Sequence, residues 1–256
     1  MYKLTFLKQL NQNHIISYLQ QFDDHQNNTL TSLKLFNRIA DFKSIEKVVY
    51  SAAGCAVAEK TFDSASATDE DAEVSLFHDS PYSISKLIGE MYGNYFFQKN
   101  GMPFVKARFQ NVYGPREILG AGEWRGTPHT VWRNVIPTFI WKSLHNEALP
   151  LDNGGKGTRD FIFVEDVVKG LIQCALLGNP GEAYNLASGK ETSVLELAQH
   201  INNITGNKTN LDLKKPRDWD RSGKRFGSTK KSKELIDFEA KIEIHDGLKK
   251  TIEWTK

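Results

Sequence analysis

An α/β fold built on a parallel sheet is predicted by three observations. Short apolar runs of strand character alternate with stretches of helical spacing through the first two thirds of the chain. The strand candidates are joined by crossovers long enough to hold a helix, which is the connection parallel strands need. Turn-forming clusters such as Asn100-Gly101, Asp152-Asn153-Gly154-Gly155 and Gly178-Asn179-Pro180 mark several of the junctions.

Taken in order, residues 30–42 place apolar side chains at helical spacing, and Lys47-Val48-Val49-Tyr50-Ser51 is a short strand ending in Ala52, Ala53 and Gly54. Small residues there leave room for a crevice. Ser80 is a suitable N-cap and Pro81 a suitable first helical residue, so a helix is expected from Pro81 to about Gln98, stopping near Asn100-Gly101. Residues 104–109 read as the next strand, and Asn111-Val112-Tyr113-Gly114-Pro115 as the loop leaving its carboxyl end. A glycine-containing polar loop follows, with Trp124 in it, then a helix over residues 131–145 and a turn at Asp152-Asn153-Gly154-Gly155. Residues 159–164 are a strand candidate, residues 165–177 a helix stopped by Gly178-Asn179-Pro180, and residues 183–186 a short strand. Thr192 or Ser193 caps a helix through Asn202, with Glu196 in the capping-box position for Ser193. Residues 214–233 are markedly basic, and residues 246–254 return to helical spacing.

At 256 residues the chain can bury a sizeable core, as one large domain or two joined lobes. Its 33 basic and 31 acidic residues leave a formal charge of +2, which argues against nucleic acid or an anionic membrane surface as a partner. Two cysteines, Cys55 and Cys174, are too few for a disulfide framework. No apolar run reaches the length of a membrane span, and the first residues lack the layout of a secretory signal, so a cytoplasmic protein is expected.

The chemistry-bearing stretch is Asp79-Ser80-Pro81-Tyr82-Ser83-Ile84-Ser85-Lys86. Tyr82 and Lys86 lie four apart and share a helix face, so an ammonium can hold a phenol near ionisation. That pair is a redox base in outline. The alternative is a surface tyrosine and lysine on one helix. Asn111 either faces a ligand at the strand end or stabilises the turn before Gly114-Pro115. On the residues alone, Arg159 stands where a strand-end salt bridge to Asp160 or Asp166 can form.

Together, P-Y-S-I-S-K, R-F-Q-N-V-Y-G-P, G-T-R-D-F-I-F-V-E-D-V and Y-N-L-A-S-G resemble the extended short-chain dehydrogenase/reductases, specifically the NAD-dependent sugar-nucleotide epimerase/dehydratase family, over roughly the last nine tenths of the chain. The resemblance implies a doubly wound, Rossmann-like parallel sheet, with residues 1–113 and 157–187 in the core and residues 114–156 and 188–256 in a smaller mixed substrate lobe. It implies Tyr82 as acid/base and Lys86 as its partner, which lowers the phenol pKa and holds the nicotinamide ribose. Asn111 would face the sugar nucleotide or the nicotinamide, and Arg159 and Arg221 would clamp the diphosphate. NAD or NADP is the implied cofactor, a nucleotide sugar the substrate, and a homodimer through the helices at 30–42 and 81–98 the assembly.

Two departures qualify the resemblance. The hydroxyl side chain the family places before the catalytic helix falls on Ala53 or Gly54, with Ser51 and Cys55 the nearest polar groups. Small residues and Cys55 also replace the acidic pair used for dehydration, which favours epimerisation or oxidation/reduction at a sugar carbon. No G-x-x-G-x-x-G turn occurs, so the cofactor site is incomplete and the Rossmann core is expected to be truncated. In that reading residues 14–19 form the fourth strand with an open, apolar edge, or the open edge is at residues 47–51 if 14–19 are helical, and residues 2–7 or a complementing N-terminal half would cover it. A catalytically impaired remnant or interaction subunit is the alternative function.

Overall fold

The structure, a computed structural model, describes residues 4–7, 20–58, 61–78, 80–117, 134–216 and 223–256, with residues 4–7 at the level of the backbone. Its main sheet has four strands in the order Leu4–Leu7, Lys47–Ala53, Phe104–Phe109 and Ala183–Leu186, every neighbour parallel. The strand beside Lys47–Ala53 is therefore Leu4–Leu7. Residues 14–19, expected to take that place, lie outside the described residues. The edge of Lys47–Ala53 is not open, because Leu4 to Leu7 pair with Lys47 to Tyr50 in register.

Helices cover both faces of this sheet, as buried parallel strands require. On one face lie the Pro81–Asn100 helix and a preceding helix made of Gln21–Asp24, a π turn at His25–Leu30 and Thr31–Ile39. Phe36 packs edge-on against Tyr50 and Phe104, with ring centroids 5.8 and 5.3 Å apart. Gly89 and Gly93 let the Pro81–Asn100 helix approach closely: an added Cβ would stand 2.0 Å from the Tyr50 hydroxyl or the Phe104 ring. On the other face the Val164–Leu177 helix seals Val105, Tyr184 and Leu186, and Ile236 and Phe238 complete that cluster.

A further apolar cluster unites Tyr113, Phe139, Leu151, Phe163, Leu197 and Leu248 in the lobe beside the strand ends. Two sequence expectations change here. Asn111–Tyr113 is a short strand, not a loop, because it finds a distant parallel partner in Phe161–Phe163. The strand expected over 159–164 is two pieces, since Thr158–Arg159 pairs antiparallel with Thr192–Ser193 before Phe161–Phe163 begins. In the basic tract, Phe226–Gly227 pairs with Ala67–Thr68 and Lys230–Ile236 is helical. Among the described residues no helix is long and apolar enough to cross a membrane, and no group of side chains forms a metal cluster.

Candidate active site

Helix capping sets the position of Tyr82. The Ser80 hydroxyl accepts a hydrogen bond from the Ser83 amide at 3.3 Å and Pro81 opens the helix, so Tyr82 stands in the first turn at the carboxyl ends of the parallel strands. One turn on, Lys86 is 6 % exposed, and its ammonium donates to the Ser51 carbonyl at 2.9 Å. That nitrogen lies 5.6 Å from the Tyr82 ring centroid and 5.7 Å from that of Tyr50. Tyr82 is half-buried and packs beside Cys55 against Ala53, Ala56, Val57 and Leu87. The spacing expected to bring phenol and ammonium onto one face does so.

Their electrostatics differ from the expectation. Burial pushes the Tyr82 phenol well above its ordinary pKa, and Cys55, Tyr50 and Asp24 push it the same way. Lys86 does not reverse this. Burial lowers Lys86 itself from 10.5 to about 8, against the opposing pull of Cys55 and Asp24. The site as folded thus holds a neutral phenol beside an ammonium that sheds its proton readily.

Asp24 is the residue that sequence reading missed. It is 1 % exposed, accepts from Asn28 Nδ2 at 2.9 Å, and acts on both Tyr82 and Lys86 from the helix end preceding the π turn. Its only sequence signal is an unusually polar run, Asp23 to Asn28, leading into an apolar helix. Gln110 is a second such residue. Its side-chain amide lies over Gly54 and Gly227, where added Cβ atoms would come within 2.2 and 2.8 Å of its Nε2.

Strand pairing sets the Asn111 backbone beside Asp160, the residue after Arg159. The Asn111 amide donates to the Asp160 carbonyl at 2.9 Å, and the Asn111 side chain is half-buried. Arg159 Nη1 donates to the Thr158 carbonyl at 2.6 Å and the Gly223 carbonyl at 2.8 Å, so Arg159 is tied to the basic tract and not in a salt bridge to Asp160 or Asp166. Asp160 is 1 % exposed and saturated: Oδ1 accepts from the Ser188 amide and hydroxyl, and Oδ2 from the Gly189 and Gly227 amides. Burial still raises its pKa. Arg221, Arg217, Trp219, Trp124 and Asp79 lie outside the described residues. A cavity of about 720 Å³, lined in part by Phe62, Lys156, Thr158, Ser193 and Lys224, opens beside this region and not at Tyr82.

Residues 12–187 match the model of the NAD dependent epimerase/dehydratase family. A putative UDP-glucose 4-epimerase of Methanocaldococcus jannaschii is 30% identical over 230 residues, covering 90% of this chain and 69% of that protein. The dTDP-D-glucose 4,6-dehydratase of Bos taurus is 31% identical over 180 residues, 68% of this chain and 47% of its own length, so the match spans about half of that enzyme. The crystal structure of the Bordetella bronchiseptica enzyme WbmF in complex with NAD+ and UDP is similar at a TM-score of 0.84 and 53% identity, with 99% of this chain and 71% of that chain covered. With the family model spanning more than half of the sequence and the sheet, helix order and Tyr82–Lys86 pair in place, the chain belongs to the NAD dependent epimerase/dehydratase family.

Proposed function

We propose that this protein is the catalytic part of a nucleotide-sugar epimerase, with Tyr82 as acid/base and Lys86 as its charged partner. The observation that carries this reading is the buried Lys86 ammonium, tied to the Ser51 carbonyl and 5.6 Å from the Tyr82 ring. Tyr82 takes the proton of the sugar hydroxyl as the hydride leaves the same carbon, and returns it when the hydride comes back to the opposite face. Bound NAD or NADP supplies the hydride acceptor and a positive charge. That charge, with Lys86, opposes the burial that keeps the phenol neutral. Epimerisation is favoured over dehydration because Ala53, Gly54 and Cys55 provide no acidic pair.

For the cofactor, Tyr82 and Lys86 fit the nicotinamide ribose, whereas the 19 glycines include no G-x-x-G-x-x-G turn to cradle a pyrophosphate. We assign that cradle to a complementing segment beyond these 256 residues, in keeping with the 71% of the WbmF chain that this sequence covers. Asn111, Arg159 and Arg221 are assigned to the nucleotide sugar, with residues 114–156 and 188–256 as the substrate lobe. A homodimer through the outward face of the Pro81–Asn100 helix is favoured by Ile84, Met91 and Tyr95, which share that face at exposures of 44, 58 and 50 %. The second reading, a subunit that binds nucleotide sugar without turnover, rests on the missing hydroxyl at Ala53 or Gly54.

Turnover of UDP-glucose with NAD, with and without an added glycine-rich half, is the test. Tyr82→Phe is expected to lower kcat by about 10²- to 10⁴-fold, as loss of a general acid/base does. Full activity in that variant removes the catalytic role. UDP binding without turnover in either arm supports the second reading.

A further inference from the structure

The space that a side chain at Gly54 would take is filled from a neighbouring strand. Gly54 follows the carboxyl end of Lys47–Ala53, and Gln110 follows the carboxyl end of its parallel partner Phe104–Phe109. A Cβ built on Gly54 would stand 2.2 Å from Gln110 Nε2, 2.7 Å from its Cδ and 2.9 Å from its Oε1, so the whole amide lies where that side chain would begin. The same amide meets Gly227, whose Cβ would stand 2.8 Å from Nε2. Glycine at both positions is what admits it.

The Gln110 backbone is fixed, since its N–H donates to the Leu186 carbonyl at 3.3 Å and so ties it to a third strand, Ala183–Leu186. Its side chain is half-buried, and among the described residues no protein group hydrogen-bonds it. The polar groups near it in the fold are otherwise occupied. The Ser51 carbonyl accepts from the Lys86 ammonium at 2.9 Å, and Cys55 packs with Tyr82 against Ala53, Ala56, Val57 and Leu87. Ala53 and Ala56 bracket Gly54, so the Gln110 amide sits beside the stretch on which Tyr82 packs.

A side-chain amide carries two donors and an acceptor oxygen, and one held half-buried with none of them used is placed for a partner from outside. Ligands of such sheets bind at the carboxyl ends of the strands, where Gln110 stands. A neutral amide matches the hydroxyl oxygens of a sugar, whereas phosphate is better served by a cation. We propose that Gln110 hydrogen-bonds the sugar of the nucleotide sugar, its amide serving in place of the hydroxyl missing at Ala53 or Gly54. This rests on the functional reading above and names a sugar contact within it.

The test is calorimetric titration of the wild type, Gln110→Leu and Gln110→Glu with UDP, UDP-glucose, dTDP and dTDP-glucose. The quantity read is the ratio of affinities between each sugar nucleotide and its nucleoside diphosphate. Gln110→Leu is expected to bind the diphosphates as the wild type does and to lose about 3- to 10-fold on the sugar nucleotide. Its melting midpoint should be no lower, because the amide it removes has no partner in the free protein. Gln110→Glu keeps the shape without the amide donors and should show the same loss, which decides the matter if the leucine variant does not fold. Gly54→Ala, which retains Gln110 and takes the space of its amide, should match them. An unaltered ratio in a folded Gln110 variant overturns the contact and leaves the nucleotide-sugar reading standing. A loss shared equally by diphosphate and sugar nucleotide overturns the contact too, as does normal binding with a lower midpoint. A wild type that binds none of the four removes the functional reading, and the contact with it.

Discussion

Lys86 sets a measurable pH dependence. Folded, it sheds its proton near pH 8, whereas unfolded it keeps it to about 10.5, so between these values the unfolded chain carries more protons. Stability should accordingly rise with pH across that window, and below it the full penalty of burying the ammonium is present. The gap corresponds to about 3 kcal/mol. Denaturant melts at successive pH values should show this slope in the wild type and not in Lys86→Met; the same slope in both would exclude Lys86 as its source. The Tyr82–Lys86 pair was readable because a four-residue spacing fixes a shared helix face before any tertiary contact is known. The direction of the Tyr82 shift was not readable. It depends on Cys55, Tyr50 and Asp24, which come from three other segments, and on a depth of burial that only packing sets.

At the scale of elements, the ends of the Pro81–Asn100 helix are local chemistry. Ser80 caps it, Pro81 opens it, and Gly101 closes it in the left-handed region at φ 68°. These were legible for that reason, as was the capping box of Ser193 and Glu196. The role of Gly93 was not, because nothing near it in sequence announces Phe104. Helix propensity alone would make Gly93→Ala stabilising by about 0.5–1 kcal/mol. The new Cβ would stand 2.0 Å from the fully buried Phe104 ring, and overpacking of about 1–3 kcal/mol wins. Thermal melting should fall by roughly 3–10 °C for a chain of this size; an unchanged or higher midpoint would mean that the helix and sheet can part without cost. Asn111–Tyr113 was misassigned for the same kind of reason: three residues become a strand only when Phe161–Phe163 arrives beside them.

Over the whole molecule, the sheet order predicts where opening begins. Lys47–Ala53 and Phe104–Phe109 are flanked on both sides, whereas Leu4–Leu7 and Ala183–Leu186 each have one partner strand among the described residues. Native-state hydrogen exchange should show the slowest amides in the two inner strands, near Val49 and Val105, and faster exchange in Leu4–Leu7. Equal protection in Leu4–Leu7 would require another element on its far side. The parallel α/β architecture was legible from alternating patterns, but which segment borders Lys47–Ala53 was not, since residues 4–7 and 14–19 are both short apolar runs. The π turn at His25–Leu30 bears on this architecture too. It fits one surplus residue into a continuous helix, so the turns on either side are out of phase with an ordinary α-helix. Shortening the turn by one residue would swing everything before it by about 100° about the axis while Phe36 stayed on the sheet. Asp24 would then point away from the Tyr82–Lys86 pair, and a deletion that spared both of those side chains would still strip the site of its buried carboxylate.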